Sequence, residues 1–164
     1  MERAGLERTL FYRHFDDLGD LLLRAAGEAI EELWAAQVDL GAGRDGSGTH
    51  PEKIREAMRP PVALYERHGP LLRVLDEGAA SDARIAAGRG AIRERFDELA
   101  AGSLGELPQL ASLSPSEVRE VARALNLLNT AYLIDAFGRE PRIDAETALT
   151  TLTTIWTGVI YGPR

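Results

Sequence analysis

Apolar residues along this chain recur three and four positions apart, and almost nowhere do they alternate with polar ones in the period of two that a half-buried strand requires. The pattern predicts helices throughout, and so an all-α protein. From Asp16 and Asp17, whose carboxylates suit a helix start, one stripe runs through Leu18, Leu21, Leu22, Ala25, Ala29 and Leu33, past Trp34, until Gly41. Gly41, Gly43, Gly46 and Gly48, beside Asp45 and Ser47, make the stretch from Gly41 to His50 a loop, because freezing so many glycines costs too much backbone entropy.

The next helix is expected from Pro51 to His68, kinked or broken at Pro60-Pro61, where two backbone donors are missing and the rings crowd the preceding carbonyls. Gly69-Pro70 is expected to open a short helix through Leu71, Leu72, Val74 and Leu75, and Ser81 to cap a longer one carrying Ile85, Ile92, Phe96 and Leu99. Gly102 to Leu113 reads as a loop. Ser114-Pro115-Ser116-Glu117 then combines a cap, a proline at the first helical position and the glutamate of a capping box. The helix it opens ends near Gly138 and is apolar on more than one side: Leu125, Leu128 and Tyr132 form one row, while Leu127 and Ile134 point elsewhere. Both faces need covering. A last helix follows Asp144, with Leu149, Leu152, Ile155, Trp156, Val159 and Ile160 on a body rich in threonine. No repeat, low-complexity tract or linker interrupts the series, so the helices are expected to pack as one bundle.

Composition narrows the chemistry. With 164 residues, 45% of them hydrophobic, the chain can bury one sizeable core. It has no cysteine, which removes disulfides, thiolate metal sites and cysteine nucleophiles and suits a reducing cytoplasm. His14, His50 and His68 are too far apart in sequence to form a helical ligand pair, so neither metal nor cofactor is expected. There is no Gly-x-Ser-x-Gly, phosphate loop, dinucleotide fingerprint or histidine paired with a nucleophile, so an enzyme is the weakest reading. No apolar run approaches the roughly 20 residues of a membrane span, and the opening residues carry no signal-peptide core, which predicts a cytoplasmic protein with no membrane partner. A net charge of −7 argues against non-specific coating of nucleic acid, so any DNA contact must be local.

One segment is more specific. Ala4-Gly5-Leu6-Glu7-Arg8-Thr9-Leu10-Phe11-Tyr12-Arg13-His14-Phe15 resembles the recognition-helix signature of the TetR family of transcriptional regulators. Gly5 permits the turn of a helix-turn-helix, Leu6 and Phe11 face its small core, and Arg8, Thr9, Tyr12 and Arg13 stand on the groove side. His14 is as well suited to a phosphate contact, which the resemblance implies, as to plain surface exposure. Residues 1 to 15 hold three arginines against two glutamates, a local charge of +1. Ala122-Arg123-Ala124-Leu125-Asn126-Leu127-Leu128-Asn129 and Ile155-Trp156-Thr157-Gly158-Val159-Ile160-Tyr161-Gly162 are similar to the EthR-like branch of that family.

The resemblance implies a TetR-like helical bundle: residues 1–16 as the remnant of a helix-turn-helix, with the recognition helix at about 6–13, and residues 17–164 as the C-terminal ligand-binding and dimerisation domain. It implies a further helix and most of another before Met1. Without them DNA binding by this form is expected to be feeble, the more so because Leu18 stands where the family often has a phosphate-binding lysine. The resemblance further implies a homodimer through helices 118–137 and 145–161, a small hydrophobic ligand, and a DNA operator as partner of the complete protein.

Asn126 and Asn129 lie three apart on a helix, along one row with Ala122, Leu133 and Phe137, so their amides are expected in apolar surroundings, where they need partners. A ligand carbonyl, ester or amide would serve, and the resemblance carries a tunnel-lining role to this pair; the alternative is that they bond backbone, or each other across a dimer. Trp156, Tyr65, Phe96, Tyr132 and Phe137, with Trp34, are the aromatic stock for pocket walls, although any single one at helical spacing reads first as plain core, and the Pro60-Pro61 kink is the expected opening of a cavity. The arginine-rich stretch from Arg84 to Arg95 is interleaved with acids and reads as a solvated face. The leading expectation is a TetR-type regulator, a repressor, whose helical body binds an apolar ligand that controls DNA binding through the helix from Asp17 to Leu40. The competing expectations are a dimeric small-molecule-binding module without DNA function and, last, a helical enzyme.

Overall fold

Asp17 starts the first helix by accepting the backbone N–H of Asp20 at 2.9 Å, which satisfies one of the donors every helix start leaves over. In the computed structural model, which describes residues 17–42 and 50–162, α1 spans Leu18–Ala42, α2 His50–Gly78, α3 Ala83–Gly105, α4 Pro115–Phe137 and α5 Ala145–Tyr161, with a 3₁₀ turn at Pro108–Leu110. There is no strand among the described residues, and the protein is an all-α bundle. The recognition-helix segment, with Arg8, Thr9, Tyr12, Arg13 and His14, lies outside the described residues, as does most of the glycine-rich loop.

The expected break at Pro60-Pro61 is not there, nor is a separate helix after Gly69: α2 runs unbroken through Pro60, Pro61 and Pro70. The reason lies in the carbonyls that the prolines release. A proline cannot donate to the carbonyl four residues before it, which for Pro61 is that of Ala57 and for Pro70 that of Glu66. Both are taken up from outside the helix. Gln37 Nε2 on α1 donates to the Ala57 carbonyl at 2.8 Å, and the Arg142 guanidinium, in the α4–α5 connection, donates to the Glu66 carbonyl at 3.2 Å. Replacement donors remove much of the cost of the missing bonds and fasten α2 to its neighbours.

Two other boundaries shift. Asp82, not Ser81, caps α3, accepting the Arg84 N–H at 2.8 Å, while the Ser81 hydroxyl donates back to the Gly78 carbonyl. α3 also continues through Gly102 to Gly105, because the four-residue row of Phe96 and Ala100 ends on Leu104, whose burial in the core requires one more helical turn. The capping box at Ser114 and Glu117 forms as expected. On α5 the hydroxyls of Thr151, Thr153 and Thr154 donate to the carbonyls four residues back, which reconciles so many threonines with a helix.

α2 lies at the centre, packed on α1, α4 and α5, while α3 packs mainly along α4. Gly69 lets α2 come so close to the end of α4 that a Cβ there would sit 2.3 Å from the Phe137 carbonyl oxygen. Apolar side chains gather in two separate cores. One holds Met58, Leu104, Ala122, Leu133, Leu152 and Trp156, drawn from α2 to α5. The other holds Ala26, Ile30, Leu64, Leu72, Leu75 and Ile85, from α1, the second half of α2 and the start of α3.

Candidate functional site

The two cores do not merge because a chamber of about 740 Å³ lies between them. Ile30, Leu64, Leu72 and Leu75 from one core and Met58, Leu104, Leu133 and Trp156 from the other form its walls. Interiors of this size normally hold few voids larger than a water molecule, whereas small-molecule sites occupy roughly 300–1,000 Å³. The volume falls within the second range, and the space is partly open to solvent. All four long elements around it contribute, and α5 closes it with Trp156, Ile160 and Tyr161.

Asn129 is buried, and its two ends are assigned by its neighbours. The Trp156 indole N–H, which can only donate, meets Asn129 Oδ1 at 3.0 Å. The amide nitrogen must therefore face the other way, where it finds the Met58 thioether sulfur at 3.7 Å, a weak acceptor. The site thus holds a strong donor opposite a poor partner, an arrangement that an entering oxygen acceptor would improve. Asn126 also borders the chamber, but its Nδ2 donates at 2.8 Å to Asp97, a carboxylate buried outside the chamber walls. A carboxylate only accepts, so the amide orientation is set by Asp97 and the Asn126 carbonyl is turned away from it. The two asparagines do not bond each other within the protomer; each has a different side-chain partner.

Tyr65 spans both cores, and its partial exposure faces the chamber. Its hydroxyl bonds Thr130, and burial pushes the phenol above its usual pKa of 10, so it is a neutral hydrogen-bonding group at any physiological pH. Phe96 forms part of the wall and stacks edge-on against Trp34, with ring centroids 5.4 Å apart. Trp34 itself stays outside the chamber, under the Arg95 guanidinium at 4.3 Å, which also pairs with Glu31 at 2.6 Å.

Of the expected site residues, the structure brings Asn126, Asn129, Trp156, Tyr65 and Phe96 to one chamber. It does not bring Tyr132 or Phe137 there. Phe137 is 1% exposed, filled in as solid core against the close approach of Gly69, and Tyr132 packs half-buried on the outer side of the same core. Gln37, Met58, Thr130 and the Asp76–Arg89 pair border the chamber without having been singled out in the sequence. Gln37 carried a legible signal, since it continues the apolar row Ile30, Leu33 by one more turn as its single polar member. Met58 and the ion pair carried none, because a methionine or a surface arginine is unremarkable until the fold shows what it faces. Among the described residues no cluster of metal-ligating side chains occurs, and no helix is long and apolar enough to cross a membrane. No protein-family model matches the sequence, and no curated protein matches it.

Proposed function

We propose that this chain is the sensing body of a TetR-type transcriptional regulator, a repressor in its complete form, whose chamber binds a small, largely apolar molecule carrying an oxygen acceptor. The observation that carries the reading is the chamber itself: two apolar cores held apart by a space of ligand size, with the Asn129 amide nitrogen resting on a sulfur that any carbonyl oxygen would outcompete. The resemblance of residues 4 to 15 to a recognition helix supplies the link to DNA. α1 follows that segment and borders the chamber through Ile30, Leu33 and Gln37, so a change in the chamber's contents has a direct mechanical route toward the DNA side.

A homodimer belongs to the same reading. α4 leaves Ala124, Leu128 and Ala131 exposed in one row, and Val159 on α5 is 44% exposed, apolar surface that a second copy would cover. The test is calorimetric titration with methyl dodecanoate. Saturable binding at one molecule per protomer is expected, together with its loss in Ala100→Phe, which fills the chamber from the α3 side. No saturable binding, or binding that ignores the added ring, overturns the sensor reading.

A further inference from the structure

Between the end of α2 and the start of α3 the chamber wall changes character from apolar to charged. Asp76 on α2 and Arg89 on α3 form an ion pair at 2.8 Å, reinforced by Arg89 donating to the Asp76 backbone carbonyl at 3.3 Å. Both side chains are about a third exposed, so the pair stands at the boundary and is neither buried nor fully solvated. On its outer side is a dimple of about 330 Å³ floored by small residues, Ala79, Ala80, Ala86 and Gly90. Asp76, Arg89 and Arg93 border both spaces at once. Arg93 is one helical turn beyond Arg89 on the same face, exposed, and has no ion-pair partner among the described residues. The Tyr65 hydroxyl inside is near enough for both charges of the pair to act on it.

We infer that this pair is the entry gate of the chamber and that it selects amphiphiles with an anionic head, a carboxylate above all, over neutral molecules of equal length. This rests on the chamber being a ligand site and adds the class of ligand and the route in. To pass the gate a molecule must part Asp76 from Arg89. A neutral molecule leaves the arginine without its partner, whereas a carboxylate takes the place of Asp76 on the guanidinium, and Arg93 adds a second cation on the same side. The head then stays at the gate and the apolar body lies between the two cores, so the Asn129 amide is met by a second oxygen farther along such a ligand and not by its head.

The experiment compares dodecanoate with dodecanol at neutral pH by calorimetry and by the fluorescence of Trp156 in a Trp34→Phe background. Dodecanoate is expected to bind about tenfold more tightly, the ratio that one charge-assisted hydrogen bond supplies. In Arg89→Gln/Arg93→Gln dodecanoate is expected to weaken relative to dodecanol until the ratio is near one; in Asp76→Asn, which removes the competing anion, dodecanoate is expected to gain severalfold more than dodecanol does. Equal affinities in the wild type, or a preference that survives the double substitution, overturn the gate while leaving the chamber reading intact. Failure of both probes to bind overturns the two together. If the double variant does not fold, Arg93→Gln alone decides, since that exposed side chain holds no other element in place: a reduced preference for dodecanoate supports the gate and an unchanged one sinks it.

Discussion

At the scale of single residues the site is a matter of which atoms can only donate and which can only accept. Trp156 and Asp97 each have one sense of hydrogen bonding, and between them they orient both asparagine amides. Asn129 is therefore a positioning residue for the indole as well as a candidate donor to a ligand. Replacing it by leucine keeps the branched shape but leaves the indole N–H buried without an acceptor, so Asn129→Leu is expected to lose about 1–3 kcal/mol, read from urea unfolding. An unchanged midpoint would show that the indole bond contributes nothing. The asparagines were legible in the sequence because two amides on an apolar row demand an explanation. Their separate partners were not legible, since Asp97 and Met58 come from other helices. Phe137 and Tyr132 show the limit from the other side: on a helix apolar around most of its circumference, periodicity cannot say which face meets a cavity and which meets solid core.

At the scale of elements, the starts of α4 and α5 were the most legible part. Ser114 and Asp144 hold their expected places because a cap is a local event, decided within four residues. The prolines of α2 were misleading for the opposite reason. What lets the helix continue is supplied by Gln37 and Arg142, which lie 20 and 76 residues away from the carbonyls they serve. The arginine-rich face of α3 likewise reaches other elements: Arg84 bridges Asp17 of the α1 start at 2.7 Å and Asp82 at 2.8 Å. Its hydrogen bonds hold the Asp82 carboxyl down at about 2, from the ordinary 3.8, and Asp17 is held below its ordinary value first by the Asp20 backbone N–H and then by Arg84. Carboxylates with depressed pKa values stabilise the folded state fully above the ordinary value and stop doing so as the pH falls through the folded one. The difference in stability between the protein and Arg84→Gln is therefore expected to be constant above about pH 4 and to vanish by about pH 2. These groups are exposed, so the difference should be small and should shrink with salt. A gap that widened on acidification would contradict the assignment.

At the scale of the whole molecule, the all-helical class followed from period alone, but the division into two cores did not. A sequence states which residues avoid water; it does not state whether they meet in one mass or around a space, because both arrangements bury the same side chains. The proposed dimer belongs here. Leu128→Glu puts a charge in the middle of the exposed α4 row and is expected to convert a dimer into a monomer in analytical ultracentrifugation without altering helical content. A wild-type protein that sediments as a monomer at micromolar concentration would remove the dimer from the proposal.

The proline at position 61 has one more effect. Because its ring can never supply a proton, the oxygen of Ala57 always looks beyond its own helix for company, and it finds Gln37. Both of those residues border the space that a guest would occupy. An oxygen acceptor placed beside Gln37 would compete for that one donor, and the Ala57 carbonyl would then be left without a partner.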